Sequence, residues 1–504
     1  MLEVEKRRNS EKWTRVALGL IVLVYVVLGV LYATGTPAWQ IPDEPAHYNY
    51  VRYIAEHGRL PELRQGDYPC EYLEEIKARR FPPDMSIDSI RYESHQPPLY
   101  YLIASLIYRA AGSCTESTRL LVLRLFSLSL GAVSLLLSYK LVSAIYPRKP
   151  LLALGTVAFA ATLPMHLAMT AAVNNDVLTE LLLCLTIWQL VSTKPGDWSC
   201  RRALGLGILL GLAFLTKMQS YVAFGVALAA LVWDVLQSQP GRPRLTWRKA
   251  LGRAGIMLGT ALLIAFPWLL RNARVYGTSD LLGLVRHDQI VVGQLTTQQY
   301  ISQSGVAALL RGFICTSFRS FWGQFGWMGV LLDQRIYLAL ALLSGLVAIG
   351  FGLYVLDLAK KRLELSSQTK RGLALLVVWL FLTALGFLWW NTKYVQHQGR
   401  YLFPALVPLG LAFTLGLREL LRRSPRAIYI LLAVSIAGLL FEGILTGDIK
   451  AFSVALLVGT VASLQVGHRL ERLRPGVGMA LAYAGMAAFA LICLYGYIVP
   501  VLSP

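Results

Sequence analysis

Two adjacent carboxylates, Asp43 and Glu44, open the stretch IPDEPAHYNYVRYIAEHG at residues 41–58. A carboxylate fixed beside a substrate hydroxyl can act as general base. The same pair, followed by Pro45 and closed by Gly58, also reads as the start and stop of a helix over 44–57. Both readings stand on this stretch, with either carboxylate a candidate base. Because the two are adjacent, ionising one raises the pKa of the other. His47, one turn along, can orient the base or touch substrate. More polar groups recur further on: Glu93, His95 and Gln96 in YESHQPPLYY; Asn174, Asn175 and Asp176 in TAAVNNDVLTE; Lys217 in FLTKMQSY. The cations Arg271 and Arg274 lie in PWLLRNARVYG, Arg319 in SFRSFWGQFGW, and Arg400 with Tyr401 in QHQGRY. Such cations near a carboxylate base suit group transfer from a phosphate-linked donor, where they hold the phosphate and offset charge on the leaving group. Structural roles compete at each position. Asn174 to Asp176 can cap a helix, Lys217 and Arg400 can snorkel to an interface, and the Tyr and Trp residues fit an aromatic belt.

The elements that must carry these groups are membrane helices. The chain has 504 residues, 56% of them hydrophobic and 15% charged, which excludes a soluble multidomain enzyme. Its net charge of +20 is split into short basic clusters between apolar runs, so it sets topology by the positive-inside rule and does not mark nucleic-acid binding. Placing every cluster in the cytoplasm gives spans near 16–35, 119–145, 151–166, 174–193, 203–217, 219–236, 251–269, 332–357, 372–390, 400–417, 427–445, 451–467 and 477–499. The expected fold is an all-α polytopic protein of about 13 transmembrane helices, N-terminus cytoplasmic and C-terminus outside. Residues 97–112 are too short to cross and are expected to lie along the outer surface. The outer loops then run over 36–118 and 270–331, and the polar residues collect at the outer helix ends, where ionisable groups usually serve a site. Cys70 and Cys114 share the first outer loop, a compartment that permits a disulfide between them. No nucleotide-binding glycine motif and no zinc or calcium pattern occurs. A divalent ion is possible if folding brings Asp43, Glu44, His47, His95 and Asp176 together.

The stretches PDEPAHYNYVRYIAEHGRLP, SHQPPLYY, GLAFLTK, PWLLRNARVYG and QGRYLFPALVPL, in this order, resemble the GT-C superfamily of integral-membrane glycosyltransferases, closest to the protein O-mannosyltransferase and lipid A aminoarabinose transferase branch. The resemblance covers about the first 420 residues, leaving 421–504 as C-terminal helices without a motif. It implies a GT-C-like fold, with Asp43 as catalytic base, Glu44 in reserve, and juxtamembrane helices in the first outer loop. It also implies a polyprenyl-phosphate sugar as donor, and a donor site lined by Glu93, His95 and Gln96. Where the aminoarabinose transferases have a phosphate-binding Lys before Pro-Pro, this chain has Gln96, which shifts phosphate binding to residues such as Arg271, Arg274 or Arg400. The expected reaction is an inverting transfer to the hydroxyl of a protein, glycolipid or polysaccharide, on the outer face of a prokaryotic plasma membrane. A transporter or flippase of lipid-linked saccharides, or a polymerase or ligase of them, is the competing reading. A flippase would call for broken, repeated helices with charge at the midplane, and no repeat is visible.

Overall fold

The computed structural model describes residues 2–193, 197–237, 245–423 and 425–503. The expected basic positions Lys194, Arg242 and Arg244 lie outside the described residues. The chain opens with α1 (Leu2–Gly35), the short helices α2 (Glu44–His57), α3 (Cys70–Ala78) and α4 (Leu99–Ala110), and then α5 (Glu116–Ile145). The bent pair α6 (Pro150–Thr162) and α7 (Pro164–Thr170) comes next, followed by α8 (Asp176–Ser192), α9 (Cys200–Phe214), α10 (Val222–Leu236) and α11 (Trp247–Tyr276). After α12 (Leu284–Ile290), α13 (Thr297–Trp322) and a small hairpin come α14 (Gln334–Ala359), α15 (Ser367–Lys393), α16 (Leu406–Arg423), α17 (Arg426–Thr446), α18 (Ala451–Leu473), α19 (Val477–Cys493) and α20 (Val499–Leu502).

Among the described residues, 10 helices are long and apolar enough to cross a membrane, or 11 if the α6–α7 pair is one span. The sequence pattern pointed to about 13. The differences have physical causes. The expected span 151–166 breaks by 69° at Pro164, where proline has no N–H for the helix ladder and starts a new helix instead. The expected spans 174–193 and 203–217 form α8 with 17 residues and α9 with 15, short of the ~20 a full crossing needs. The helices carry large apolar side chains on their outer faces, such as Leu263 at 73% exposure and Ile444 at 75%, which water would penalise and a lipid phase accepts.

The first outer loop folds into a compact lid. α4 has 12 residues, too few to cross, and packs against α2, with Arg109 donating to the backbone carbonyls of Ile54 and Ala55. Tyr50 stacks on Tyr101 with ring centroids 3.8 Å apart, and Ile76, Ile90 and Tyr100 are fully buried beneath them. This apolar knot continues into Leu123 of α5 and Ala213 of α9, so the lid is fixed to the membrane bundle. The second outer loop is more helical than its sequence indicated. It holds α12, the long α13 kinked at Gly305, and a hairpin pairing Gln324–Phe325 with Val330–Leu331.

Candidate active site

The site is built on an ion pair that lies behind it. Arg124 lies in α5, five residues after Arg119 and inside its apolar stretch, and both it and Glu44 are buried. The two are joined by Nη2–Oε2 and Nε–Oε1 contacts of 2.6 and 2.8 Å. The remaining guanidinium donors go to the carbonyls of Ala33, Thr36 and Pro37 at the end of α1. The Glu44 carboxylate also accepts from the backbone N–H of Trp39 and Val173. One pair therefore ties together the α1–α2 loop, α5 and the turn before α8. Glu44 is thus spent on structure, and the expectation that it stands in reserve as a base is corrected: it has no face on the cavity.

Asp43 is the residue this anchor presents. It occupies the position before α2, but with φ 68° and ψ −8° and without a side-chain bond to the helix. The helix-cap reading of its carboxylate is therefore excluded. A left-handed conformation at a non-glycine residue costs ~1–3 kcal/mol and persists where the surroundings enforce it. Asp tolerates it better than most. The carboxylate instead accepts from Arg400 Nη2 at 2.8 Å and from the Tyr92 hydroxyl at 2.8 Å. Arg400 is held in turn by Gln398, through Nε–Oε1 at 2.7 Å. The neighbouring Gly399 lies against the α13 backbone and donates its N–H to Ser320. A Cβ at Gly399 would fall on the Ser317 carbonyl and the Phe321 N–H, backbone that cannot step aside. Gly399→Ala is expected to cost ~1–3 kcal/mol through overpacking, lowering the unfolding midpoint in detergent and loosening Arg400 from Asp43.

A second ion pair faces the first. Lys217, which follows α9, binds Asp176 at the start of α8, with Nζ–Oδ1 at 2.5 Å. Between these pairs lies a cavity of about 750 Å³ lined by Asp43, His47, Glu93, Asp176, Lys217 and Arg400. His95, Gln96 and Tyr401 complete the polar wall. The lining also includes apolar side chains of α10, α11 and α15, among them Val222, Trp268 and Phe387, and residues of α3 and of the hairpin tip at Trp327.

The electrostatics separate the groups. Burial would raise the Asp43 pKa, but the Arg400 guanidinium and the hydrogen bonds from Arg400 and Tyr92 outweigh it and hold the carboxyl below its usual range. Glu93 goes the opposite way, to about 7, driven by burial first and then by the Asp43 charge, against Lys217. Burial, with Lys217 next, pushes His47 down to about 3. It is therefore a neutral ring, hydrogen-bonded through Nδ1 to the Tyr101 hydroxyl at 2.8 Å. Burial, then His287, pushes His95 down as well. Two carboxyls with opposed shifts in one cavity are the arrangement that lets one act as a base and the other as an acid.

The other sequence-predicted residues lie elsewhere. Asn175 is buried behind the wall and donates to the Thr216 carbonyl at 3.1 Å, while Asn174 accepts from the Asp176 N–H, so part of the helix-capping reading holds here. Arg271 donates to the Pro61 carbonyl and to Asn272, and its guanidinium lies over the Tyr276 ring; it braces the first outer loop and does not line the cavity. Arg274 is exposed and also outside it. Arg319 bonds Gln334 and lies over the Tyr337 ring. None of these three is placed to meet a phosphate in the cavity. Cys70 and Cys114 are free thiols. Cys70 lies on the cavity wall against Gly293, whereas Cys114 follows the far end of α4, a helix of ~18 Å at 1.5 Å per residue, so the expected disulfide is not formed. Among the described residues no group of three or more His, Cys, Asp or Glu is placed to hold a metal ion. The proposed set does not converge, because Glu44 belongs to Arg124, Asp43 to Arg400 and Asp176 to Lys217. The residues that sequence reasoning missed are Tyr92, Arg124, Gln398 and His287. Arg124 carried a visible signal, a charge within the apolar stretch of its span.

Comparison with known proteins places this geometry in context. Residues 89–409 match the family model described as "Predicted membrane protein (DUF2142)". No curated protein sequence matches the chain. Among solved structures, the chain is similar to ArnT from Cupriavidus metallidurans bound to undecaprenyl phosphate. The TM-score is 0.53 and the identity 15%, over 95% of this chain and 76% of that one. It is also similar to the archaeal oligosaccharyltransferase AglB from Archaeoglobus fulgidus, in complex with an inhibitory peptide and a dolichol-phosphate. Here the TM-score is 0.51 and the identity 12%, over 90% of this chain and 56% of that one. This chain thus spans a little over half of AglB. Both are GT-C glycosyltransferases, and at these identities what they share with this chain is the fold.

Proposed function

The chain belongs to the DUF2142 family of membrane proteins, and from its GT-C fold and its cavity we propose that it is a glycosyltransferase drawing its sugar from a polyprenyl-phosphate donor. The observation that carries this reading is Asp43, a carboxylate held in a left-handed backbone conformation and aimed into a cavity that also contains Lys217 and Arg400. Its support is chemical. The acceptor hydroxyl loses its proton to Asp43 as its oxygen attacks the anomeric carbon. The bond from that carbon to the phosphate oxygen breaks, and its electron pair leaves with the polyprenyl phosphate, so the configuration inverts. Lys217 and Arg400 offset the charge gained by the phosphate. The apolar wall from α10, α11 and α15 suits a prenyl chain. ArnT and AglB were solved with lipid phosphates, undecaprenyl phosphate and dolichol-phosphate respectively, which agrees with a donor of this class.

The catalytic module spans residues 1–420 in this reading, with 421–504 as an accessory helical part. The basic clusters put the N-terminus in the cytoplasm and the cavity on the outer face. The test is donor consumption by purified protein in lipid, offered a panel of polyprenyl-phosphate sugars. Use of one donor with retention of the sugar on an acceptor supports the reading. If no donor is consumed while lipid-linked sugar crosses the leaflets of liposomes, the flippase reading replaces it. Within the same assay, Lys217→Met is expected to weaken undecaprenyl phosphate binding roughly 10- to 100-fold, the loss of a charge-assisted hydrogen bond, with Asp176 left unneutralised beside the phosphate.

A further inference from the structure

Glu93 lies on the cavity wall and the transfer step leaves it without a task, and its surroundings are unusual. Its Oε2 is enclosed and has no hydrogen-bond partner. Both nearby cations are already committed, Lys217 to Asp176 and Arg400 to Asp43, and among the described residues no Lys or Arg forms an ion pair with Glu93. The groups that face it are Asp43 from the α1–α2 loop, Asp176 from α8 and Lys217 after α9, with Gln96 on its own segment. The Glu93 charge also acts on the phenols of Tyr92, Tyr101 and Tyr401. Two carboxylates already paired with the two nearby cations leave nothing to balance a third anion, and an enclosed, unpaired carboxylate oxygen carries a full desolvation penalty. A neutral carboxylic acid escapes both costs and has an O–H to offer.

We infer that Glu93 works in its protonated form, donating a hydrogen bond to a phosphate oxygen of the lipid-linked donor as a third phosphate-binding group beside Lys217 and Arg400. This rests on the lipid-phosphate reading above and extends it. The proton stays on Glu93 through the reaction, since the acceptor's proton goes to Asp43 and the electron pair of the broken bond goes to the phosphate. The O–H is a better donor to the dianionic leaving group than to the monoanionic donor, so it favours the transition state. The titration of Glu93 near 7 then makes phosphate binding pH-dependent near neutrality. With the pKa raised, the acid form predominates below about 7 and the repelling carboxylate above it.

The test uses the full-length protein in lipid and the diester undecaprenyl methyl phosphate, which stays a monoanion across the range and has no proton of its own to gain. Affinity is measured from pH 6 to pH 8.5 for wild type and Glu93→Gln, whose amide keeps a donor but cannot ionise. At pH 6 the two should agree within about threefold. At pH 8 wild type should bind roughly tenfold more weakly than Glu93→Gln, one unit past a group titrating near 7. Calorimetry of wild type alone in buffers of different ionisation enthalpy should show uptake of about one proton per ligand at pH 8, a readout that needs no variant. Identical pH profiles for the two proteins, or no proton uptake by wild type, overturn the inference and leave the donor class standing. Binding of the diester by neither protein at any pH overturns the lipid-phosphate reading itself, and the role of Glu93 falls with it.

Discussion

Asp43→Asn is expected to lower the turnover of the preferred polyprenyl-phosphate sugar by about 10²- to 10⁴-fold, the usual contribution of a positioned general base. Donor affinity should change far less. Asparagine shares the tolerance of aspartate for the left-handed region, and its amide oxygen can still accept from Arg400 while its NH2 donates to the Tyr92 hydroxyl oxygen, so the cavity keeps its shape. A rate loss at near-constant affinity separates a base from a binding group. The pH dependence points the same way. The Asp43 pKa is held below the usual carboxylate range, so the ionised base is present at all pH values above that range. The wild-type rate should therefore show no acid limb from Asp43 between pH 5 and 7, and loss should begin only as pH falls through the depressed pKa. Wild-type turnover in a folded Asp43→Asn protein would move the base elsewhere.

How much of this site the sequence made legible follows from the range over which each signal acts. The helix over 44–57, its Gly58 stop and the short helix after Pro-Pro were readable because capping and proline chemistry are local, and α2 and α4 fall there. The cavity residues Asp43, Glu93, Lys217 and Arg400 were candidates because ionisable groups at helix ends are costly, but their pairing spans 357 positions between Asp43 and Arg400, and no local pattern carries that. The same rule misplaced Arg271 and Arg319. A guanidinium at an interface has several donors, and here they satisfy a loop carbonyl and neighbouring side chains instead of a ligand. The span count exceeded the helices that qualify because hydropathy does not register the break at Pro164, nor the shortening of α8 by the turn that brings Asp176 to the site. Asp43 and Glu44 looked interchangeable because adjacency hides direction. Only the fold shows that one carboxylate faces the cavity and the other faces α5.

That division of labour has a thermodynamic consequence. Arg124→Ala is expected to destabilise the protein by about 3–5 kcal/mol, the cost of leaving one member of a buried ion pair uncompensated. The loss should appear as a lower unfolding midpoint in detergent. Here it is compounded, because the carbonyls of Ala33, Thr36 and Pro37 lose their donor at the same time. Pairing the change with Glu44→Gln removes the stranded charge and should recover a large part of the loss, since a buried pair is worth less in itself than either partner alone costs. The double variant should still turn over donor slowly, because the α1–α2 loop that strains Asp43 is no longer stapled to α5. Glu44→Gln alone, measured where it remains folded, should keep turnover within about tenfold of wild type, well short of the loss at a base. A Glu44→Gln protein as inactive as Asp43→Asn yet equally stable to wild type would contradict this, and would return Glu44 to the chemistry. If stability falls and the rate survives, Glu44 and Arg124 are the scaffold on which Asp43 is held ready.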